Sequence, residues 1–104
     1  MKINNREGWI ELVVYDDYEY DKFHAVAGIL QTGFGLSFTH KLDGLETCYW
    51  DFQFNSCELT LHYHVMTWIS IFPEACKEAS EADNRAVIEL GELLSRYFIE
   101  HNIK

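Results

Sequence analysis

From Cys48 to Tyr63 every second residue is apolar or aromatic on either side of an Asn55-Ser56 pair, reading CYWDFQF and then CELTLHY. A two-residue turn at that pair sets Phe54 opposite Cys57, Phe52 opposite Leu59, Trp50 opposite Leu61 and Cys48 opposite Tyr63. Both halves of the alternation then share one face. A slip of one residue would turn the whole apolar set to water, so this pattern restricts the fold more than any other in the chain. It demands an antiparallel hairpin with one buried and one wet side.

The neighbouring segments extend the hairpin into a sheet. Upstream, GLSFTHKL runs into Asp43-Gly44. A three-residue loop of Leu42, Asp43 and Gly44, with Gly44 left-handed, sets Phe38 opposite Cys48 and Leu36 opposite Trp50. A strict Asp-Gly turn would set Phe38 opposite Tyr49 and mix the faces, so the pattern selects the longer loop. Downstream, a three-residue loop at Val65-Met66-Thr67 keeps Ile69 and Ile71 in the core and sends Trp68, Ser70 and Phe72 to the opposite side. Loops of two or four residues reverse that assignment. The opposite face carries Ser37, Thr39, Lys41, Thr47, Tyr49, Asp51, Gln53, Glu58, Thr60, His62 and His64.

Residues 9–15, WIELVVY, have strand composition. A helix is predicted from about Tyr20 to Gln31, with Phe23, Val26, Ala27 and Leu30 on one face and Gly33 and Gly35 ending it. Pro73 closes the last strand. Residues 74–82 suit a short acidic helix, and Asp83 or Asn84 caps a longer one with Val87, Leu90, Leu94, Tyr97 and Phe98 as its apolar stripe. The expected fold is α+β in a single domain spanning residues 1–104. It has a mostly antiparallel sheet of about five strands and two main helices on its apolar face, in the order β-α-β-β-β-β-α.

A hydrophobic content of 48% argues against disorder. The balance of 17 acidic against 8 basic residues, a formal charge of -9, disfavours direct binding to nucleic acid or an anionic membrane and favours a basic protein partner. MKINNREGWIEL has no apolar run of the kind a secretory leader carries. Cys48, Cys57 and Cys76 are an odd number without metal-type spacing. A cytoplasmic protein with reduced thiols is expected.

Charge and rings coincide most densely in YDDYEYD, where Tyr15, Asp16, Asp17, Tyr18, Glu19, Tyr20 and Asp21 place four carboxylates among three tyrosines. Acids at a helix start complement its dipole, which accounts for Glu19 and Asp21 but not for the rings. Tyrosines among acids suit a contact surface for a basic partner. A second contact candidate is the polar sheet face, with Tyr49, Asp51, His62, His64 and Trp68. His62 and His64 also project together from one strand, with Asp51 diagonal to His62, as metal ligands can. Two ligands without a firm third make a weak metal site, so no metal or other cofactor is assigned. His40 opposite Glu46 would suit an oriented base but lacks a nucleophile. No G-x-S-x-G, P-loop, dinucleotide or zinc-ribbon pattern is present. A binding protein is expected rather than an enzyme, with a small metal-binding protein or metal-dependent enzyme as the alternative. An edge strand or the open sheet face would also let two copies pair.

The run CELTLHYHVMTWISIFP, an acidic helix after it, and then DNRAVIELGELLSRYF resemble immunity proteins of bacterial contact-dependent growth inhibition and related polymorphic toxin systems. The resemblance spans about residues 57 to 99. It implies a small acidic cytoplasmic protein that binds a cognate toxin domain, often a nuclease, and blocks its active site or substrate path. No invariant motif defines that class, so it implies no individual site residues.

Overall fold

The computed structural model describes residues 1–104. Six strands form one antiparallel sheet: β1 Lys2–Asn5, β2 Ile10–Tyr15, β3 Phe38–Asp43, β4 Thr47–Phe54, β5 Cys57–His64 and β6 Ile69–Pro73. Their spatial order is β1-β2-β6-β5-β4-β3. Helix α1 (Tyr20–Gly28) follows β2, and helix α2 (Glu81–Glu100) follows β6. The fold is α+β, as the sequence predicts, with β1 as an additional strand. KINN is too short and too polar to show a period of its own. β1 exists through its pairing with β2, from Lys2 opposite Val13 to Asn5 opposite Ile10.

The β4–β5 hairpin has the expected register, from Phe54 opposite Cys57 to Cys48 opposite Tyr63. Asn55 and Ser56 hold φ of 52° and 64°, the left-handed pair that a two-residue hairpin turn requires. The β5–β6 register, with Leu61 opposite Ile71 and His62 opposite Ser70, places Ile69 and Ile71 in the core. This is the arrangement of the three-residue loop.

The β3–β4 register differs from expectation. Phe38 lies opposite Phe52, Lys41 opposite Trp50 and Asp43 opposite Cys48, with an irregularity between Phe38 and His40. The strand runs through Asp43 because the Trp50 indole N–H donates to its carboxylate at 2.7 Å and Gly44 N–H donates to the Thr47 carbonyl at 2.7 Å. The irregularity at Thr39 still leaves Phe38 against Trp50 and Phe52, at 5.2 and 5.8 Å between ring centres. It moves Lys41 to the helix side, where its ammonium lies 4.2 Å from the Trp50 ring centre. His40 consequently faces Asp51, not Glu46.

α1 buries Phe23, Val26 and Ala27, then widens into a π turn over Ile29–Gly33 that buries Leu30. α2 buries Ala86, Val87, Leu90 and Leu94. These side chains join Leu12, Trp50, Phe52, Leu59, Leu61 and Ile71 in one cluster, so both helices cover the same sheet face. Each fully buried Leu, Ile or Phe there contributes about 1.5–3 kcal/mol. Ser80, rather than Asp83 or Asn84, caps α2. Its hydroxyl accepts from Asp83 N–H at 3.1 Å while the Asp83 carboxylate accepts from Ser80 N–H at 3.0 Å. Asn84 instead ties the helix to the β1–β2 connection, accepting from Ile10 N–H at 3.0 Å. Of the acidic helix expected over residues 74–82, one 3-10 turn at Cys76–Glu78 forms.

Candidate partner-binding surfaces

The acidic tract bridges the end of β2 and the start of α1. Tyr15 packs on Phe98 of α2 at 5.7 Å between ring centres, and the Lys22 ammonium lies 4.9 Å from its ring centre. The Asp17 carboxylate accepts from Glu19 N–H at 3.1 Å and from Lys22 Nζ at 2.6 Å. The Lys22 contact, together with the Glu19 backbone, holds its pKa below the usual aspartate value. Tyr63 Oη donates to the Tyr18 carbonyl at 2.9 Å, fixing the crest of the turn. Glu19 precedes the first helical residue and Asp21 lies in the first turn, where carboxylates complement the helix dipole. Asp16, Tyr18, Glu19, Tyr20 and Asp21 remain exposed. The tract therefore divides: Tyr15 and Asp17 organise the turn, and the other five residues face outward from it.

The helix-free face of the sheet carries a row of rings. Tyr49 lies 4.7 Å from His62, His62 lies 5.5 Å from Phe72, and Phe72 lies 5.5 Å from Trp9. The row crosses β4, β5 and β6 toward the start of β2. Beside it, Glu11 accepts from Arg6 Nη2 at 2.7 Å, Arg6 Nε at 3.1 Å and Trp68 Nε1 at 3.1 Å. Trp68 is on this face, as the three-residue loop requires, but its N–H is committed to Glu11 and Lys2 lies over its ring at 5.6 Å. It serves as part of the cover. Burial alone would raise the Glu11 carboxyl; the bonds from Arg6 and Trp68, the neighbouring Ser70 hydroxyl and the Arg6 charge outweigh it and hold the pKa below the usual glutamate value. Sequence reasoning missed this cluster, although one acid inside the apolar run WIELVVY marks it.

His62, His64 and Asp51 do not converge. His64 Nδ1 accepts from Met66 N–H at 3.0 Å, and Asp51 accepts from the Thr60 hydroxyl at 2.6 Å. Burial depresses the His62 pKa and His64 adds to this, against the pull of Glu11, so His62 favours the neutral ring. His62 Nδ1 and the fully buried Ser70 Oγ have no hydrogen-bond partner. No group of three His, Cys, Asp or Glu side chains is placed to hold a metal ion. Burial pushes the Cys48 thiol up to about 11, with the Asp43 carboxylate adding to it, and also raises Cys57 and Cys76. All three thiols are thereby kept protonated, the reverse of nucleophile activation.

The two predicted contact surfaces do not form one patch. Tyr15 and Tyr20 contact Phe98 and Phe23 on the helix side, whereas Tyr49 and His62 belong to the other side. No helix is long and apolar enough to cross a membrane. Comparison with protein-family models, with curated proteins and with solved structures finds no match for the chain.

Proposed function

We propose that this protein acts by binding and that it is the immunity partner of a toxin domain with a basic surface, to be sought first among nucleases. The observation that carries this reading is the acidic tract held in one conformation. Its backbone is clamped by the Tyr63–Tyr18 bond and the Asp17 turn, while the carboxylates of Asp16, Glu19 and Asp21 and the Tyr18 ring face solvent. A preordered surface loses little entropy on association. Carboxylates spaced along it can take positions that phosphates would occupy in a nuclease cleft, and the net charge of -9 steers a basic partner toward the complex. Neutralising a nuclease would place the protein in the cytoplasm, where nucleic acid needs protection.

The test begins with a basic protein captured from the native lysate at low and moderate salt and then purified. Its association with wild type is compared with that of the D16N/E19Q/D21N variant by stopped flow. The variant should associate roughly tenfold more slowly at low ionic strength, with a shallower salt dependence. Equal rates would remove the tract from the interface. A captured partner whose toxicity the protein does not suppress would end the immunity reading.

A further inference from the structure

Between the acidic tract and the β3–β4 loop lies a hollow of about 320 Å³, lined by Tyr20, Asp43, Leu45, Glu46, Cys48 and Tyr63 among others. The rings of Tyr20 and Tyr63 meet edge to face at 5.4 Å. The Asp43 carboxylate is fixed in the wall by the Trp50 indole, which donates to it at 2.7 Å. The ion pairs within the chain are Arg6–Glu11 and Lys22–Asp17, so Asp43 and Glu46 have no cationic partner at salt-bridge distance. At the rim, Leu45 is 106% exposed and covers nothing in its own fold. The half-exposed Tyr20 ring, the fixed carboxylate and the apolar rim complement the guanidinium and the stem of an arginine side chain. A guanidinium stacks on aromatic faces and pairs with carboxylates, and its methylene stem packs on apolar surface.

We propose that this hollow is a docking pocket for one arginine side chain of the partner protein, with the guanidinium between the Tyr20 ring and the Asp43 carboxylate and the stem against Leu45. The proposal rests on the binding reading above and gives the partner a specific feature, an arginine projecting from its basic surface. Tyr20 then belongs to both the tract and the pocket. The exposed acids of the tract, Asp16, Glu19 and Asp21, supply the field around it.

The pocket can be tested without the partner. N-acetyl-arginine amide is titrated into nitrogen-15-labelled protein while the three indole N–H resonances are followed. Trp50 reports directly on Asp43, whereas Trp9 and Trp68 lie on the helix-free side and serve as internal controls. The Trp50 signal should move saturably while the other two stay in place, and the neutral citrulline amide should leave all three unmoved. Asp43→Asn keeps an acceptor for the indole but loses the charge, and it should weaken the amide roughly fivefold or more. Tyr20→Leu should weaken it in the same direction. E92Q/E100Q removes more charge, at exposed positions of α2 outside the hollow, and should change the affinity by less than about twofold. No saturable Trp50 shift, an equal response to citrulline, or equal losses in D43N and E92Q/E100Q would overturn the pocket. Because the titration contains no toxin, its outcome is independent of whether the captured partner proves to be one.

Discussion

Glu11 shows how much one side chain can organise. It is 5% exposed within a strand of apolar neighbours, and its carboxylate collects three N–H donors from Arg6 and Trp68. Replacing it with alanine leaves the Trp68 indole and the Arg6 guanidinium without their acceptor and should cost about 2 kcal/mol, read from chemical denaturation. The folded state lowers its pKa, so the unfolded chain binds the proton more readily. Its stabilising contribution is complete above the ordinary glutamate value of 4.5 and is lost as pH falls through the lower folded value. Denaturation midpoints measured from pH 6 down to pH 3 should therefore fall less steeply for Glu11→Gln than for wild type. Parallel acid limbs would show that other carboxylates carry the loss. At this scale the sequence was only partly legible. Tyrosines among acids do mark a turn with exposed charge, but nothing in YDDYEYD says that Tyr15 packs on Phe98 while Tyr18 stays free.

Among the elements, legibility followed the strength of the local pattern. The β4–β5 hairpin was readable because eight alternating side chains and a left-handed Asn55-Ser56 pair agree. The β3–β4 register was not, because its determinants are tertiary: the Trp50 indole holds Asp43 inside the strand, and the irregularity at Thr39 resets the alternation. The same distinction separates two helical glycines. A methyl group added at Gly28 meets nothing within 4 Å, whereas one at Gly91 would sit 3.1 Å from Leu12 Cδ1. Gly28→Ala should therefore stabilise by about 0.5–1 kcal/mol through the helix preference. Gly91→Ala gains the same preference but presses on the buried Leu12, which must give by a few tenths of an ångström, and a net loss of about 1 kcal/mol is expected. Thermal melts of the two variants should shift in opposite directions. A shift of the same sign would mean that Leu12 can move aside.

For the whole molecule, the fold class was legible from the order of apolar periods, and the size fixed a single layer of helices on a single sheet. The separation of the two candidate surfaces onto opposite faces was not, since it depends on which side the helices cover. A net charge of -9 with two ion pairs also means that the folded chain repels itself. Raising salt from low to moderate strength should screen that repulsion and raise the melting temperature by a few degrees, while the same change should slow association with the proposed basic partner. A melting temperature that falls with salt would show that the ion pairs outweigh the repulsion. Stability and recognition should thus respond to salt with opposite signs, and both can be followed in one buffer series.

The position of β2 beside β6 sets an order of events during synthesis. Glu11 and Trp68 are bonded across 57 residues of chain, and Leu12 cannot meet Ile71 until β6 has left the ribosome. The apolar run of β2 must wait uncovered, with only the short β1 to pair with, while most of the protein is made. Closing that gap is a late, long-range step, so a slow ribosome or a high expression rate should expose this strand to association with other nascent chains before the sheet can take it in.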